Sequence, residues 1–209
     1  MFRKILFFIS ILTIQFATAQ NNTQAEQVLS NLLTTAKTTA IKTGFKLIAT
    51  DKNSTQTTSG TFTLKANKFI LEMDAMKVWF DGKTQWSYIQ QNNEVSITEP
   101  SEKELADTNP MAILSGFKSK CLIRFSGKIK SDQNHCIEMI PNVKNNDIVK
   151  IEVQVNKTNG NLFSIKITTK NGGNSILLTT NFQKGISIAD NNFAFNTTKY
   201  KGVAINDLR

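Results

Sequence analysis

The side chains that most often carry catalysis are few in this chain, and their spacing does not build an active site. His135 is the single histidine, and it stands beside one of the two cysteines, Cys121 and Cys136. Zinc normally needs four ligands at recognisable spacings, which these three residues do not supply. The glutamates within residues 99–104 precede a predicted helix start and are interpreted as solvated acids. No Gly-x-Ser-x-Gly motif is present. The sequence therefore predicts no catalysis, no metal and no cofactor.

The sequence does offer apolar side chains in strict alternation, the pattern of β-strands with one apolar face. In residues 76–98, Asp81-Gly82 indicates a two-residue hairpin turn and Asn92-Asn93 a second turn. Such strands cover either an ordinary packed core or an apolar ligand, and periodicity alone does not distinguish the two. The residues predicted to line a lipid-binding cavity are Phe45, Leu47, Phe62, Leu64, Phe69, Leu71, Trp86 and Tyr88.

The elements that would position these residues are mainly strands. A helix is predicted over residues 22–40, a loop over residues 51–59, and about ten or eleven short strands joined by turns rich in Asn and Gly. A second, short apolar helix is predicted to start at Asn109-Pro110 and to lie against the sheet or plug an opening. The predicted fold class is α+β, mainly β: an incompletely closed antiparallel β-barrel covered by short helices. The residues predicted to form its lid are Met111, Ile113, Leu114 and Phe117.

The N-terminus has the pattern of a secretory signal peptide. Arg3 and Lys4 precede an apolar run at residues 5–14 that is too short to span a bilayer, and residues 17–19 have the small-x-small form of a cleavage site. We expect cleavage after residue 19, leaving a single exported domain at 20–209, periplasmic in a bacterium with two membranes. Cleavage removes two basic residues, so the formal charge falls from +9 to +7. Export argues against nucleic acid as a partner, and the scattered lysines indicate a solvated face.

A disulfide between Cys121 and Cys136 is allowed in that compartment. The predicted hairpin between them turns near residues 131–133, and regular pairing would place Cys121 several residues from any partner opposite Cys136. The pattern disfavours the bridge, but the register of such strands is loosely fixed, so the sequence leaves it open.

Four segments resemble the periplasmic outer-membrane lipoprotein carrier (LolA) family. They are GTFTLKANKF at 60–69, FDGKTQWSYIQQNNEVSI at 80–97, TNPMAIL at 108–114 and NFAFNTTKYKGVAINDL at 192–208. The resemblance covers most of the mature chain in the same order, although each motif alone is weak.

This resemblance implies an apolar cavity under a lid of short helices, in a monomer without catalytic activity. The family's carriers take acylated lipoproteins from an inner-membrane ABC transporter and deliver them to the outer membrane, where an acceptor is possible. In the family, an arginine in the turn after the glycine-led strand holds the lid shut. Here the turn reads Lys65-Ala66-Asn67, which makes Lys65 the candidate lid latch, although lysine lacks the planar fork of arginine.

The function predicted from the sequence is therefore a periplasmic carrier that ferries lipoproteins from the inner to the outer membrane. The alternative is a periplasmic lipid-binding or envelope-sensing interaction protein on the same scaffold, which the missing arginine favours. The sequence leaves open which lipoproteins or lipids are carried, whether an outer-membrane acceptor exists, and how the lid closes.

Overall fold

A computed structural model describes residues 22–52, 54–142 and 147–209, so the predicted signal peptide lies outside the described residues. The first described element is helix α1, at residues 22–38. It confirms the helix predicted in this region and buries Leu29, Leu32, Leu33 and Ala36, which recur at three- and four-residue spacing along one apolar face. Within these described ranges, no helix is long and apolar enough to cross a membrane.

Twelve strands in the rest of the chain form one large sheet. Its spatial order is β12-β6-β5-β4-β3-β2-β1-β11-β10-β9-β8-β7, and neighbouring strands are antiparallel except at one edge, where β12 runs parallel to β6. The edge strands β12 and β7 are not hydrogen-bonded to each other, so the predicted incomplete closure is confirmed. The strands are β1 (Ile41–Thr50), β2 (Thr55–Lys65), β3 (Lys68–Met73), β4 (Met76–Phe80), β5 (Gln85–Ile89), β6 (Glu94–Thr98), β7 (Cys121–Phe125), β8 (Asn134–Pro141), β9 (Ile148–Asn156), β10 (Leu162–Thr169), β11 (Asn174–Lys184) and β12 (Ala204–Asp207).

Part of the predicted loop at 51–59 was wrong, because β2 already begins at Thr55. Thr50 pairs with Thr55, and the pairing of β1 with β2 continues from there without interruption. This end of β2 is exposed and polar, so it shows no apolar period. Its threonines are β-branched and favour extended backbone even without burial.

The turn between β4 and β5 also differs from the predicted two-residue form. Phe80 pairs with Gln85, so residues 81–84 make the turn, and of Asp81 and Gly82 only Gly82 has a positive φ, of 104°. The Asp81 carboxylate accepts hydrogen bonds from the backbone nitrogens of Lys83 at 2.9 Å and Thr84 at 2.8 Å. Asp81 therefore stabilises the turn through its side chain.

Two short helices connect β6 to β7. Helix α2 (Glu102–Thr108) begins with a capping box, in which Ser101 and Glu104 each bind the other's backbone nitrogen. Helix α3 (Pro110–Lys118) follows directly, with Asn109 as its N-cap and proline in its first turn, as predicted.

The three helices lie on one face of the sheet, called here the inner face. Two apolar clusters fill the space between helices and sheet, one under α1 and α3 against β7–β10, the other under the end of α1 against β1–β4. The opposite, outer face is covered over β3–β5 by the C-terminal segment at residues 186–200, called here the tail, which buries Phe193 completely.

Candidate functional site

A cavity of about 300 Å³ lies between the inner face and the three helices. Apolar side chains make up most of its wall, and none of the described residues that line it is charged. The lining residues are Leu32 and Ala36 of α1; Ile41, Thr43, Phe45, Leu47, Phe62 and Leu64 of β1 and β2; Leu71, Met73 and Met76 of β3 and β4; Ala106, Thr108, Pro110, Met111 and Ile113 of the α2–α3 segment; and Leu162, Ile165, Ile167, Ser175, Leu177, Thr179 and Phe182 of β10 and β11.

The polar side chains in this wall are mostly occupied by the protein itself. The Thr43 hydroxyl donates to the Thr180 carbonyl at 2.9 Å, Thr108 donates to the Leu105 carbonyl at 3.3 Å, and Thr179 donates to a β10 carbonyl. Because these donors are already paired, they carry no demand for a polar ligand. The cavity is therefore suited to hydrocarbon.

The cavity is more exposed at one end than at the other. At the closed end Ile41 and Leu64 pair across β1 and β2, and both are buried. At the other end Leu47 and Leu177 pair across β1 and β11, and both are half-buried, as is Met73. The mouth of the cavity therefore lies at the Leu47 end.

Most of the residues predicted to line a cavity are brought together here. Phe45, Leu47, Phe62, Leu64 and Leu71 all lie in the wall. Phe69, which was also predicted to line the cavity, lies behind the wall and is completely buried. Its ring is stacked 5.6 Å from that of Phe62.

The predicted lid residues divide between two environments. Met111 and Ile113 line the cavity and also contact the cluster under α1, whereas Leu114, which is buried, and Phe117, which is half-buried, lie in that cluster and do not line the cavity. Helix α3 thus covers the cavity with its first turn and is anchored to the sheet through Leu114 and Phe117. The prediction of a single lid surface missed this division of roles.

Trp86 and Tyr88 do not line the cavity, contrary to the prediction. Trp86 pairs with Trp79 and Tyr88 with Lys77, which places both aromatic rings on the outer face. There the ring of Tyr88 lies 4.6 Å from that of Tyr200 in the tail. Alternation identifies side chains that share a face of a strand, but it does not identify which face is the inner one.

Lys65 does not reach the lid, so its predicted role as lid latch is also wrong. Its ammonium group donates to the Ile188 carbonyl at 3.1 Å and pairs with Asp190 at 2.6 Å, both in the tail. The next two residues of the turn, Ala66 and Asn67, border a gap of about 390 Å³ between the turn, α1 and α3. No side chain of the turn bridges this gap.

The residues first considered for catalysis have structural roles. Glu104 caps α2, and Glu99 pairs with Lys83 at 3.1 Å. The ring of His135 stacks on Phe125 at 5.5 Å. Across the described ranges, no cluster of histidine, cysteine or acidic residues could hold a metal ion.

The two cysteines are free thiols. Cys121 pairs with Pro141 at the end of β8. Cys136 lies near the start of β8, where its carbonyl accepts a hydrogen bond from the backbone nitrogen of Ser126. The disulfide that the sequence left open is not formed, because the register keeps the two residues apart.

The sequence-based prediction missed the parts of the cavity wall that α1, β10 and β11 contribute. Leu32 and Ala36 are spaced as part of one apolar stripe of the predicted helix, and alternation alone would place Ile165 and Ile167 on one face with Phe163. A register shift between Leu162 and Ser164 instead leaves Phe163 46% exposed. Apolar alternation in β10 and β11 was the available signal, but it does not identify that β11 pairs with β1, which lies far away along the chain.

Methionine residues in the sequence were a second signal for the cavity. Met73, Met76 and Met111 all line the cavity. Methionine is unbranched and adapts its shape to irregular apolar ligands.

Comparison with known proteins matches this chain to one family model, described as outer membrane lipoprotein carrier protein LolA, over residues 16–171. Comparison with curated proteins gave no significant match.

Several solved structures have a similar fold. An uncharacterized conserved protein from Thermus thermophilus has a TM-score of 0.58 at 10% identity, over 88% of this chain and 99% of that one. A DUF1329 family protein from Desulfovibrio piger has a TM-score of 0.50 at 10% identity, over 87% and 99%. A putative outer membrane lipoprotein-sorting protein domain from Vibrio parahaemolyticus has a TM-score of 0.47 at 13% identity, over 87% and 100%. At such identities these similarities concern the fold alone.

Proposed function

The chain belongs to the outer membrane lipoprotein carrier protein (LolA) family, and on that premise we propose that its inner cavity binds the acyl chains of lipoproteins. The observation that carries the proposal is the uncharged cavity of about 300 Å³ beneath α2 and α3. Protein interiors are normally close-packed, with few voids larger than a water molecule. A space of this size lined by hydrocarbon therefore supports ligand binding over a simple packed core.

The energy for binding comes from removing methylene groups from water. Each buried methylene contributes about 0.8 kcal/mol, so even part of an acyl chain binds favourably. The wall offers no fixed pattern of hydrogen-bonding groups, and its methionines tolerate different chain shapes. The site is therefore suited to a chemical class, long alkyl chains, rather than to one particular molecule.

Release requires that the cover can move. Helix α2 is exposed along its first turn and contacts the apolar cluster on β1–β4 through Leu105, whereas α3 is anchored through the fully buried Leu114 and through Phe117. The gap beside Ala66 leaves the first turn of α3 without a polar latch to the β2–β3 turn. We propose that the α2–α3 segment swings away from the cavity to admit and release cargo.

The cavity in its closed form is smaller than a complete lipoprotein anchor. An engineered cavity of about 150 Å³ holds one benzene molecule, so a cavity twice as large takes roughly twelve carbon atoms. A lipoprotein with two or three long chains would therefore bind only with the lid displaced. This fits a carrier that holds its cargo in an open form and closes when empty.

The wider pathway follows from the family and stays part of the proposal. The mature domain at residues 20–209 would act as a monomer in the periplasm, receiving acylated lipoproteins from an inner-membrane ABC transporter and delivering them to the outer membrane, with or without an acceptor protein. It would carry out no chemical reaction.

A membrane-release assay tests this function. The mature chain is incubated with membranes that contain an acylated lipoprotein, and the soluble lipoprotein is measured. Leu47→Asp places a carboxylate at the mouth of the cavity. Ile48→Asp is the matched control, because the neighbouring residue is also half-buried but points to the outer face.

Release by the wild type and by Ile48→Asp, with loss in Leu47→Asp, is the expected result. Loss in both variants at unchanged folding would show that the inner cavity is not the binding site. No release by any form, together with no lipid in the purified protein, would favour the envelope-sensing alternative.

A further inference from the structure

The outer face carries a second, larger cavity that the acyl-chain function does not use. It has a volume of about 580 Å³ and lies between strands β1–β4 and the tail. This space is called here the outer groove. A sheet separates it from the inner cavity, so the two sites would bind different ligands.

The tail forms one wall of the outer groove and is attached to the sheet at both ends of residues 190–200. At one end, Asp190 pairs with Lys65 at 2.6 Å and with Lys68 at 2.7 Å. At the other end, the ring of Tyr200 lies 5.7 Å from that of Trp79, in an edge-to-face arrangement. Between these anchors Phe193 and Phe195 pack onto the sheet beside Ile70 and Trp79, and the groove lies next to this contact.

The groove presents cations from both of its walls. Lys42 lies on the sheet wall, directly paired with Thr63 across β1 and β2, and Lys199 lies on the tail wall. No carboxylate lies within ion-pair distance of either lysine in the portion of the chain that is described. The hydroxyl of Ser187 and the amide of Asn191 add polar groups on the tail wall.

Among the described residues that line the groove, the carboxylate of Glu72 is already paired with a cation. Glu72 pairs with Lys77, its neighbour across β3 and β4, and accepts a hydrogen bond from Thr61 at 3.1 Å. Burial acts to raise the pKa of Glu72, but the hydrogen bond and charge of Lys77, with smaller effects from Thr61 and Lys42, lower it overall. The ion pair leaves Lys42 and Lys199 as the charges available to a ligand.

We propose that the outer groove binds a phosphate-bearing ligand between Lys42 and Lys199. A phosphate has several acceptor oxygens arranged in three dimensions, so it can accept from donors on two opposite walls, whereas the two oxygens of a carboxylate lie in one plane. The volume is in the range of small-molecule sites, and the basic chain draws anions toward it. The phosphate would come either from a soluble phosphate ester or from a phospholipid head group.

Tryptophan fluorescence gives a direct measurement, because both tryptophans of the chain, Trp79 and Trp86, lie on the outer face. The mature protein is titrated with glycerol phosphate at constant ionic strength set by sodium chloride. A saturable change in emission is expected, and Lys42→Gln and Lys199→Gln should each weaken binding at least tenfold. Circular dichroism and the melting temperature check that both variants fold.

Lys46→Gln is the matched control, because Lys46 is an equally exposed lysine on the same face of β1 but does not line the groove. Its affinity should stay within twofold of the wild type. Equal weakening by Lys46→Gln and Lys42→Gln would overturn the proposal, since it would indicate only the general basic charge. Tighter binding of a glutamate-rich peptide than of any phosphate probe would also overturn it.

Vesicles of phosphatidylglycerol and of phosphatidylcholine distinguish the two sources of phosphate. Binding of glycerol phosphate without phosphatidylglycerol vesicles assigns the groove to soluble esters. Binding of phosphatidylglycerol vesicles that is lost in Lys42→Gln but kept in Lys46→Gln assigns it to a head group. No saturable response to either probe refutes the site. The glycerol phosphate titration does not depend on acyl-chain binding, and the comparison of Lys42→Gln with Lys46→Gln separates head-group binding from acyl-chain binding to vesicles; the membrane-release assay tests acyl-chain binding on its own.

Discussion

The size of the inner cavity predicts how its affinity depends on the length of the ligand. With a volume of about 300 Å³, the closed cavity takes roughly twelve carbon atoms by comparison with a benzene-sized cavity. In a series of fatty acids from octanoate to palmitate, affinity should rise by about 0.8 kcal/mol, or roughly fourfold, for each methylene that enters. The rise should flatten near laurate, because further methylenes stay in water unless the lid is displaced.

A substitution in the lid should lower the ligand length at which affinity stops rising. Ala106 lies in α2 and lines the cavity, so Ala106→Phe would place a benzene-sized ring inside it. By comparison with the benzene-sized cavity, the ring fills about half of the space, and the number of ligand carbon atoms that fit falls to roughly six. Octanoate and palmitate should then bind with nearly equal affinity. Ala112→Phe is the control, because Ala112 faces the gap beside Ala66 and not the cavity.

Displacement of a fluorescent fatty acid from the mature protein measures the whole series. A slope that continues unchanged from laurate to palmitate would refute the reasoning, because it would show that the closed cavity does not limit the ligand. An unchanged limit in Ala106→Phe would refute the assignment of this cavity as the site.

Two further predictions concern the tail. The pKa of Asp190 is held at about 2, below its ordinary 3.8, by hydrogen bonds from Lys65 and Lys68. The ion pairs of Asp190 with Lys65 and Lys68 are therefore complete above pH 3.8 and are lost as the pH falls toward 2. Tryptophan emission should shift to the red in that interval. The variant Asp190→Asn should show no such change at acid pH. Phe193 is completely buried, so Phe193→Ala should lower the free energy of unfolding by about 3–5 kcal/mol in urea denaturation. Phe163→Ala, at a 46% exposed position, should change it by less than about 0.5 kcal/mol; equal losses would contradict the assigned packing.

The sequence alone determined the features that depend on near neighbours along the chain. Asn109-Pro110 predicted the start of α3, because an N-cap side chain and a proline in the first turn act within a few residues. Alternation predicted that Phe45 and Leu47 share a face, because successive side chains on a strand point in opposite directions. The mainly β fold and the short helices followed from such local signals.

Only the tertiary structure decided which of these faces encloses the cavity. Trp86 and Tyr88 alternate as regularly as Phe62 and Leu64, yet they lie on the outer face, because strand register sets the orientation of β5 relative to β4. The partner of Lys65 is Asp190, far along the chain, and no local pattern links them. The difference between a filled core and a cavity likewise depends on how far the helices lie from the wall formed by β1–β3 and β10–β11, a distance that periodicity does not encode.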